Sequence, residues 1–178
     1  MLSNLIENGK KKCEKYWPEV AQSLRWGEKG DQDGVLTVFV EEEKTFANYV
    51  ERKIILDKKS SCLSDVYVVV AGATGWSGGG SGSVGDSGDS GPSTREIKQF
   101  HFNVWPDKGV PTSRVAMASF LTTVRDAVGD AKLLIHCSAG VGRTGTFIAL
   151  NELVEKAKAD GIEAINVFEE VKLLRKIG

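Results

Sequence analysis

The spacing of apolar residues changes repeatedly along the chain, and each change marks an element. Val35-Leu36-Thr37-Val38-Phe39-Val40 is rich in branched and aromatic side chains and reads as a strand, as does the segment 49–56. Polar Glu41-Glu42-Glu43-Lys44 lies between them, so a hairpin or meander is expected. Over 96–104 the side chains alternate, Phe100 and Phe102 falling on one face and Gln99 and His101 on the other, until Trp105 and Pro106 end the strand. Val115, Phe120, Leu121, Val124 and Val128 recur near 3.6 residues and predict a helix that Thr112 or Ser113 caps. Lys132-Leu133-Leu134-Ile135-His136 is a short apolar run, expected to be a buried strand leading into a glycine-rich turn. A helix over about 143–160 carries Phe147, Ile148, Leu150, Leu153, Val154 and Ala157 and stops at Gly161. Another begins near Asn166, with Glu169 three positions on to complete a box-like cap. Strands alternating with helices predict an α/β (α+β) domain, a twisted mixed sheet flanked by helices.

Composition changes this picture at one place. Over 72–93 the chain is mostly Gly and Ser, too poor in apolar surface to order itself, and is expected to be a disordered insertion in a domain covering 1–178. Just before it, Val66-Tyr67-Val68-Val69-Val70 could add a strand. The remainder is ordinary: 41% hydrophobic and 26% charged residues suit one soluble core. A net charge of -1 gives no global field for nucleic acid, so any anion site must be local. Cys13, Cys62 and Cys137 match neither a disulfide framework nor a zinc site, which points to a reducing, cytoplasmic setting and to no metal. No apolar run approaches the roughly 20 residues of a bilayer-spanning helix.

The chemistry concentrates in His136-Cys137-Ser138-Ala139-Gly140-Val141-Gly142-Arg143-Thr144-Gly145, a cysteine and an arginine separated by five small residues at a strand-to-helix junction. The backbone from Ser138 through Ala139, Gly140, Val141 and Gly142 can turn successive N–H groups inward, and the helix start adds its positive dipole end. Arg143 supplies a planar fork for phosphate oxygens, and the same field favours a thiolate at Cys137. A buried core cysteine is the bland alternative, but it needs neither the arginine nor the small loop. Gly140-x-Gly142-x-x-Gly145 also fits a dinucleotide-binding turn, though no acidic strand end follows at the required distance, and a Walker loop fails because Thr146 stands where lysine is needed. A second constellation, Trp105-Pro106-Asp107-Lys108-Gly109-Val110-Pro111, is either a common turn or a closing loop that presents Asp107 as a proton donor and acceptor. His136 could tune Cys137 through a hydrogen bond or be a satisfied buried histidine.

These two segments, together with Glu7-Asn8-Gly9-Lys10-Lys11-Lys12-Cys13-x-x-Tyr16-Trp17-Pro18, resemble the tyrosine-specific protein phosphatase family. The Cys-x5-Arg loop alone is shared with dual-specificity and low-molecular-weight phosphatases, whereas the Tyr-Trp-Pro and Trp-Pro-Asp segments narrow the resemblance to the tyrosine-specific branch. The resemblance implies hydrolysis of phosphotyrosine in protein partners without a cofactor. Cys137 would form a cysteinyl-phosphate, Arg143 would bind the equatorial oxygens, and Asp107 would act as acid and then base. It also implies that Thr144 stabilises the departing thiolate, that Glu7 orients Arg143, and that Lys12 lies near the loop bearing Asp107. The family's substrate-ring loop and its water-placing glutamine loop have no counterpart here, so the chain reads as truncated at both ends, a catalytic fragment that could come from the intracellular part of a receptor-type parent. Three readings stay open: a phosphatase, a phosphotyrosine-binding module or pseudophosphatase, and a nucleotide-binding oxidoreductase.

Overall fold

The computed structural model describes residues 1–27, 35–59, 93–129 and 131–177. The run 66–70 and the Gly/Ser segment up to residue 92 lie outside the described residues. The first elements, β1 (Ile6–Glu7) and β2 (Lys10–Lys11), form a small hairpin. Its two-residue turn, Asn8-Gly9, takes φ of 50° and 72°, the left-handed pair that joins twisted strands with least strain.

Four longer strands make an antiparallel sheet in chain order: β3 (Ser23–Trp26), β4 (Val35–Thr45), β5 (Tyr49–Lys59) and β6 (Ser93–Phe102). Parallel pairing among the described residues is limited to the bridge Val20↔Val40. β4 and β5 form the expected hairpin, and the polar stretch 41–44 continues β4. Its charges face opposite charges on β5 (Glu42↔Lys53, Glu43↔Arg52, Lys44↔Glu51), so polar residues sustain the ladder. A bulge between Val40 and Glu42 leaves Glu41 as the extra residue.

Helix α1 (Arg114–Val128) starts where the sequence placed it, with the Ser113 hydroxyl accepting from the Ala116 N–H at 3.1 Å. It packs Ala116, Met117, Phe120, Leu121 and Val124 inward, whereas Val115, assigned to the apolar face, is 79% exposed. Helix α2 (Gly142–Asp160) ends at Gly161 as expected. After a short 3-10 turn (Ile162–Ala164), α3 (Val167–Ile177) is capped by Asn166, whose side-chain oxygen accepts from the Glu169 N–H at 3.1 Å.

Both faces of β6 are covered. Phe100 and Phe102 join the α1 residues, Trp105, Phe147, Leu2 and Cys137 in one core; Ile97 lies on the opposite face with Trp17, Val38, Val40 and Ile54. One expectation fails: residues 132–136 are not a strand. They carry no regular structure, and exposed Lys132 and Leu134 interleave with half-buried Leu133 and Ile135, Leu134 being 43% exposed. A single bond, from the Leu2 N–H to the His136 carbonyl at 2.9 Å, ties the run to the chain start, and one bond does not make a ladder. Met1 is in turn bound to β6 through Phe100 and Phe102.

Candidate active site

The core containing Phe102 and Phe147 anchors the loop between the extended run and α2, and Cys137 is its buried member. Gly140 turns this loop with φ of 74°, where a Cβ would be strained. No side chain caps the start of α2, so its first N–H groups remain for other acceptors. Burial pushes the Cys137 thiol up, but the donor groups around it, the Thr144 hydroxyl and the N–H groups of Thr144, Gly140 and Ala139, favour the charged sulfur more strongly and hold the pKa below the ordinary thiol value. The Thr144 hydroxyl is buried and has no hydrogen-bond partner, which leaves it free to donate to an ionised Cys137 sulfur. Ser138, Ala139, Gly140, Val141 and Gly142 form an exposed rim.

Arg143, in the first turn of α2, is held on the side facing the β1–β2 hairpin. Its Nη1 and Nη2 donate to the two oxygens of Glu7 at 2.6 and 2.9 Å. The same nitrogens donate to the carbonyls of Leu2 at 3.0 Å and Pro106 at 2.9 Å. Glu7 is buried, which by itself would raise its pKa; Arg143 and the Asn4 N–H reverse this and keep the carboxyl below its usual range.

Asp107 meets the same hairpin. Lys12 Nζ lies 3.0 Å from its Oδ2 and 3.1 Å from its Oδ1, Asn8 Nδ2 donates to Oδ2 at 3.4 Å, and Arg143 Nη2 is 3.8 Å away. Lys12, chiefly by its hydrogen bond, lowers the Asp107 pKa, so the group is a carboxylate in this arrangement. The Pro106 carbonyl bond and the Trp105 indole N–H, 3.2 Å from the Gly109 carbonyl, fix the loop at both ends of its turn.

His136 lies behind Cys137. Its Nδ1 is 3.2 Å from the Cys137 carbonyl and its Nε2 is 2.8 Å from the Tyr16 hydroxyl. Burial lowers the His136 pKa and raises that of Tyr16 to about 12. The structure thus brings together Cys137, Thr144, Arg143, Glu7, Asp107, Lys12 and His136. Asn8, Tyr16, Gln99 and Arg52 were not assigned to the site; the Asn-Gly turn was a readable signal for the first, and nothing local marks the last two. Among the described residues no group of His, Cys, Asp and Glu could hold a metal ion, and no helix is long and apolar enough to cross a membrane.

Thiol, guanidinium and carboxylate on one loop cluster are matched by a family model, protein-tyrosine phosphatase, over residues 1–177. The chain belongs to the protein-tyrosine phosphatase family. It is 31% identical over 178 residues, 98% of the chain, to the human receptor-type tyrosine-protein phosphatase alpha, of which it spans 17%. It is 29% identical to the human receptor-type phosphatase zeta, over 98% of the chain and 6% of that protein. Over 84 residues, 46% of the chain and 12% of the relative, it is 44% identical to the rat receptor-type phosphatase epsilon. The chain therefore spans less than a fifth of each of these relatives.

Proposed function

We propose that this chain hydrolyses phosphotyrosine in proteins through a cysteinyl-phosphate. The observation that carries the reading is a guanidinium clamped by Glu7 in the first turn of α2, next to an unpartnered buried Thr144 hydroxyl and a Cys137 thiol whose pKa the surrounding donors lower. Such donors stabilise a thiolate and, once phosphate is present, the charge that develops on its oxygens. The Cys137 thiolate attacks phosphorus, the bond to the tyrosyl oxygen breaks, and Asp107 supplies the leaving oxygen with its proton. Water then attacks the cysteinyl-phosphate, Asp107 takes the proton, and sulfur leaves as a thiolate held by Thr144.

Two features of the site set the order of these events. The four terminal N–H groups of Arg143 are engaged by Glu7, Leu2 and Pro106, so Nε–H is the donor left for a phosphoryl oxygen, and a further contact comes by exchange with a carbonyl. Asp107 is held as a carboxylate by Lys12, the form required for the second step; a bound phosphate dianion raises its pKa and prepares the acid for the first. Release of phosphate from an aryl phosphate, absent in Cys137→Ser, is expected. In Asp107→Ala a phosphorylated Cys137 peptide should be detectable by mass spectrometry after rapid quenching.

The carboxylate clamped by Lys12 and Asn8 also fits a second reading, a phosphotyrosine-binding module that does not turn over. Phosphopeptide binding with no phosphate release and no cysteinyl-phosphate would select it.

A further inference from the structure

A row of polar side chains, exposed at Glu43 and buried at Arg52 and Gln99, crosses the sheet behind Cys137. In register, Glu43 of β4 faces Arg52 of β5, and Arg52 faces Gln99 of β6. The neighbouring row on the same face is apolar, Val40↔Ile54↔Ile97. The two rows are two residues apart along β5 and β6 but three apart along β4, because the bulge inserts Glu41 and changes which face the following residues occupy. Without the bulge Glu43 would point away from Arg52.

Hydrogen-bond chemistry then fixes the direction of every proton along the row. Arg52 Nε donates to Glu43 Oε2 at 2.6 Å and Nη1 donates to Gln99 Oε1 at 2.9 Å, with the guanidinium 4.6 Å from the Trp17 ring centre. A guanidinium has no acceptor, so the Gln99 oxygen must face it and the amide nitrogen must face Tyr16, where Nε2 donates to the hydroxyl at 2.9 Å. The Tyr16 oxygen is thereby an acceptor on that side, and because the Cys137 carbonyl facing His136 Nδ1 can only accept, the Tyr16 hydrogen goes to His136 Nε2 at 2.8 Å. His136 Nε2 accepts, which puts the ring proton on Nδ1, directed at the Cys137 carbonyl 3.2 Å away. That carbonyl and the Ser138 N–H belong to one trans peptide, so a bond on the oxygen turns the N–H to the opposite side.

We propose that Arg52 and Gln99 are positioning residues, which through Tyr16 hold His136 as the Nδ1–H tautomer and so fix the peptide that follows Cys137. The functional consequence rests on the phosphatase reading; the tautomer does not. The ionisable groups around the row are Glu43, Arg52, Tyr16, His101, the Met1 amine, Cys13 and Cys137. Burial keeps Tyr16 protonated and His136 uncharged near neutral pH, as the chain of donors requires.

Nitrogen-15 spectra of the full chain labelled at histidine test this directly. There are two histidines, and His101 is its own reference, since its Nε2 lies 2.9 Å from the Ser3 carbonyl and must carry the proton. One Nε2–H ring and one Nδ1–H ring are expected near neutral pH; two Nε2–H rings overturn the proposal. In Gln99→Glu the near-isosteric carboxylate accepts from both Arg52 and Tyr16, so the Tyr16 hydrogen turns away and His136 must donate through Nε2. His136 should invert while His101 stays, and alkylation of Cys137, followed on its peptide by mass spectrometry, should slow about tenfold below its midpoint pH. An unchanged His136 tautomer, or an inverted tautomer with unchanged alkylation, overturns it. If Gln99→Glu does not fold, Tyr16→Phe should release His136 into a mixture of tautomers, and a single retained Nδ1–H form counts against the proposal. Expected tautomers without aryl phosphate hydrolysis would remove the phosphatase reading and leave the positioning chain standing.

Discussion

At Cys137 and Glu7, opposing effects of burial and hydrogen bonding are decided by specific donors. For Cys137 the penalty of burial is overcome by one hydroxyl and three amides, so removing the hydroxyl should move the thiol toward ordinary behaviour. Thr144→Val, nearly the same shape, is expected to raise the midpoint of the alkylation profile and to slow alkylation about tenfold at slightly acidic pH. An unchanged profile would mean that the amides alone hold the thiolate. For Glu7 the lowered pKa has a consequence for stability. The folded state binds its proton less readily than the unfolded chain, so the stability gained from the Arg143 pair is present above the ordinary carboxyl range and is lost as pH falls through the lower, folded-state value. Urea titrations should show Glu7→Ala less stable than the parent by about 2 kcal/mol near neutrality, with the difference shrinking on acidification. The candidate residues were legible from spacing: a cysteine and an arginine five small residues apart, and an aspartate between prolines. Arg52 and Gln99 were not, because their roles arise from strand register, and register depended on a bulge that no local pattern in Glu41-Glu42-Glu43-Lys44 announces.

Among the elements, the shortest carries the most connections to the site. The β1–β2 hairpin delivers Glu7 to Arg143 and both Asn8 and Lys12 to Asp107, so its turn sets guanidinium and carboxylate together. Gly9 takes φ of 72° with open space where a Cβ would lie, which makes backbone strain, not collision, the cost of a side chain. Gly9→Val is expected to cost about 1–2 kcal/mol and to lower aryl phosphate turnover while leaving Cys137 alkylation near parental, since the thiolate's donors belong to another loop. Equal losses in both assays would show that the hairpin and the cysteine loop are not separable. Helix ends were well read from the sequence because caps are local: Ser113, Gly161 and Asn166 each act within a few residues. Residues 132–136 were misread because apolar content measures burial and not pairing, and pairing depends on which neighbours a segment meets. The hairpin around Glu41 to Lys44 was legible, but how far its strands extend was not, because the partners of Glu42, Glu43 and Lys44 on β5 are invisible along the chain.

In the whole molecule the apolar surface is unevenly covered. The sheet has packed cores on both faces around β6, whereas among the described residues the far end of the chain leaves several large apolar side chains in solvent: Ile162 at 75%, Val167 at 57% and Phe168 at 73% exposed. They occupy the 3-10 turn and the first turn of α3, while Cys137 and Arg143 belong to the loop that starts α2 and to its first turn, at the other end of that helix. Large exposed apolar side chains favour association in water, and a charge among them opposes it. Phe168→Asp, at the second residue of α3, also places a negative charge where the helix dipole favours one. The variant is therefore expected to fold as the parent does and to stay monomeric at concentrations where the parent self-associates, by light scattering across a dilution series. Its Cys137 alkylation profile should coincide with that of the parent, because Phe168 is not among the residues of the Cys137 core. A parent that remains monomeric at the highest concentration reached, or a variant that associates equally, would show that these side chains do not govern the solution state.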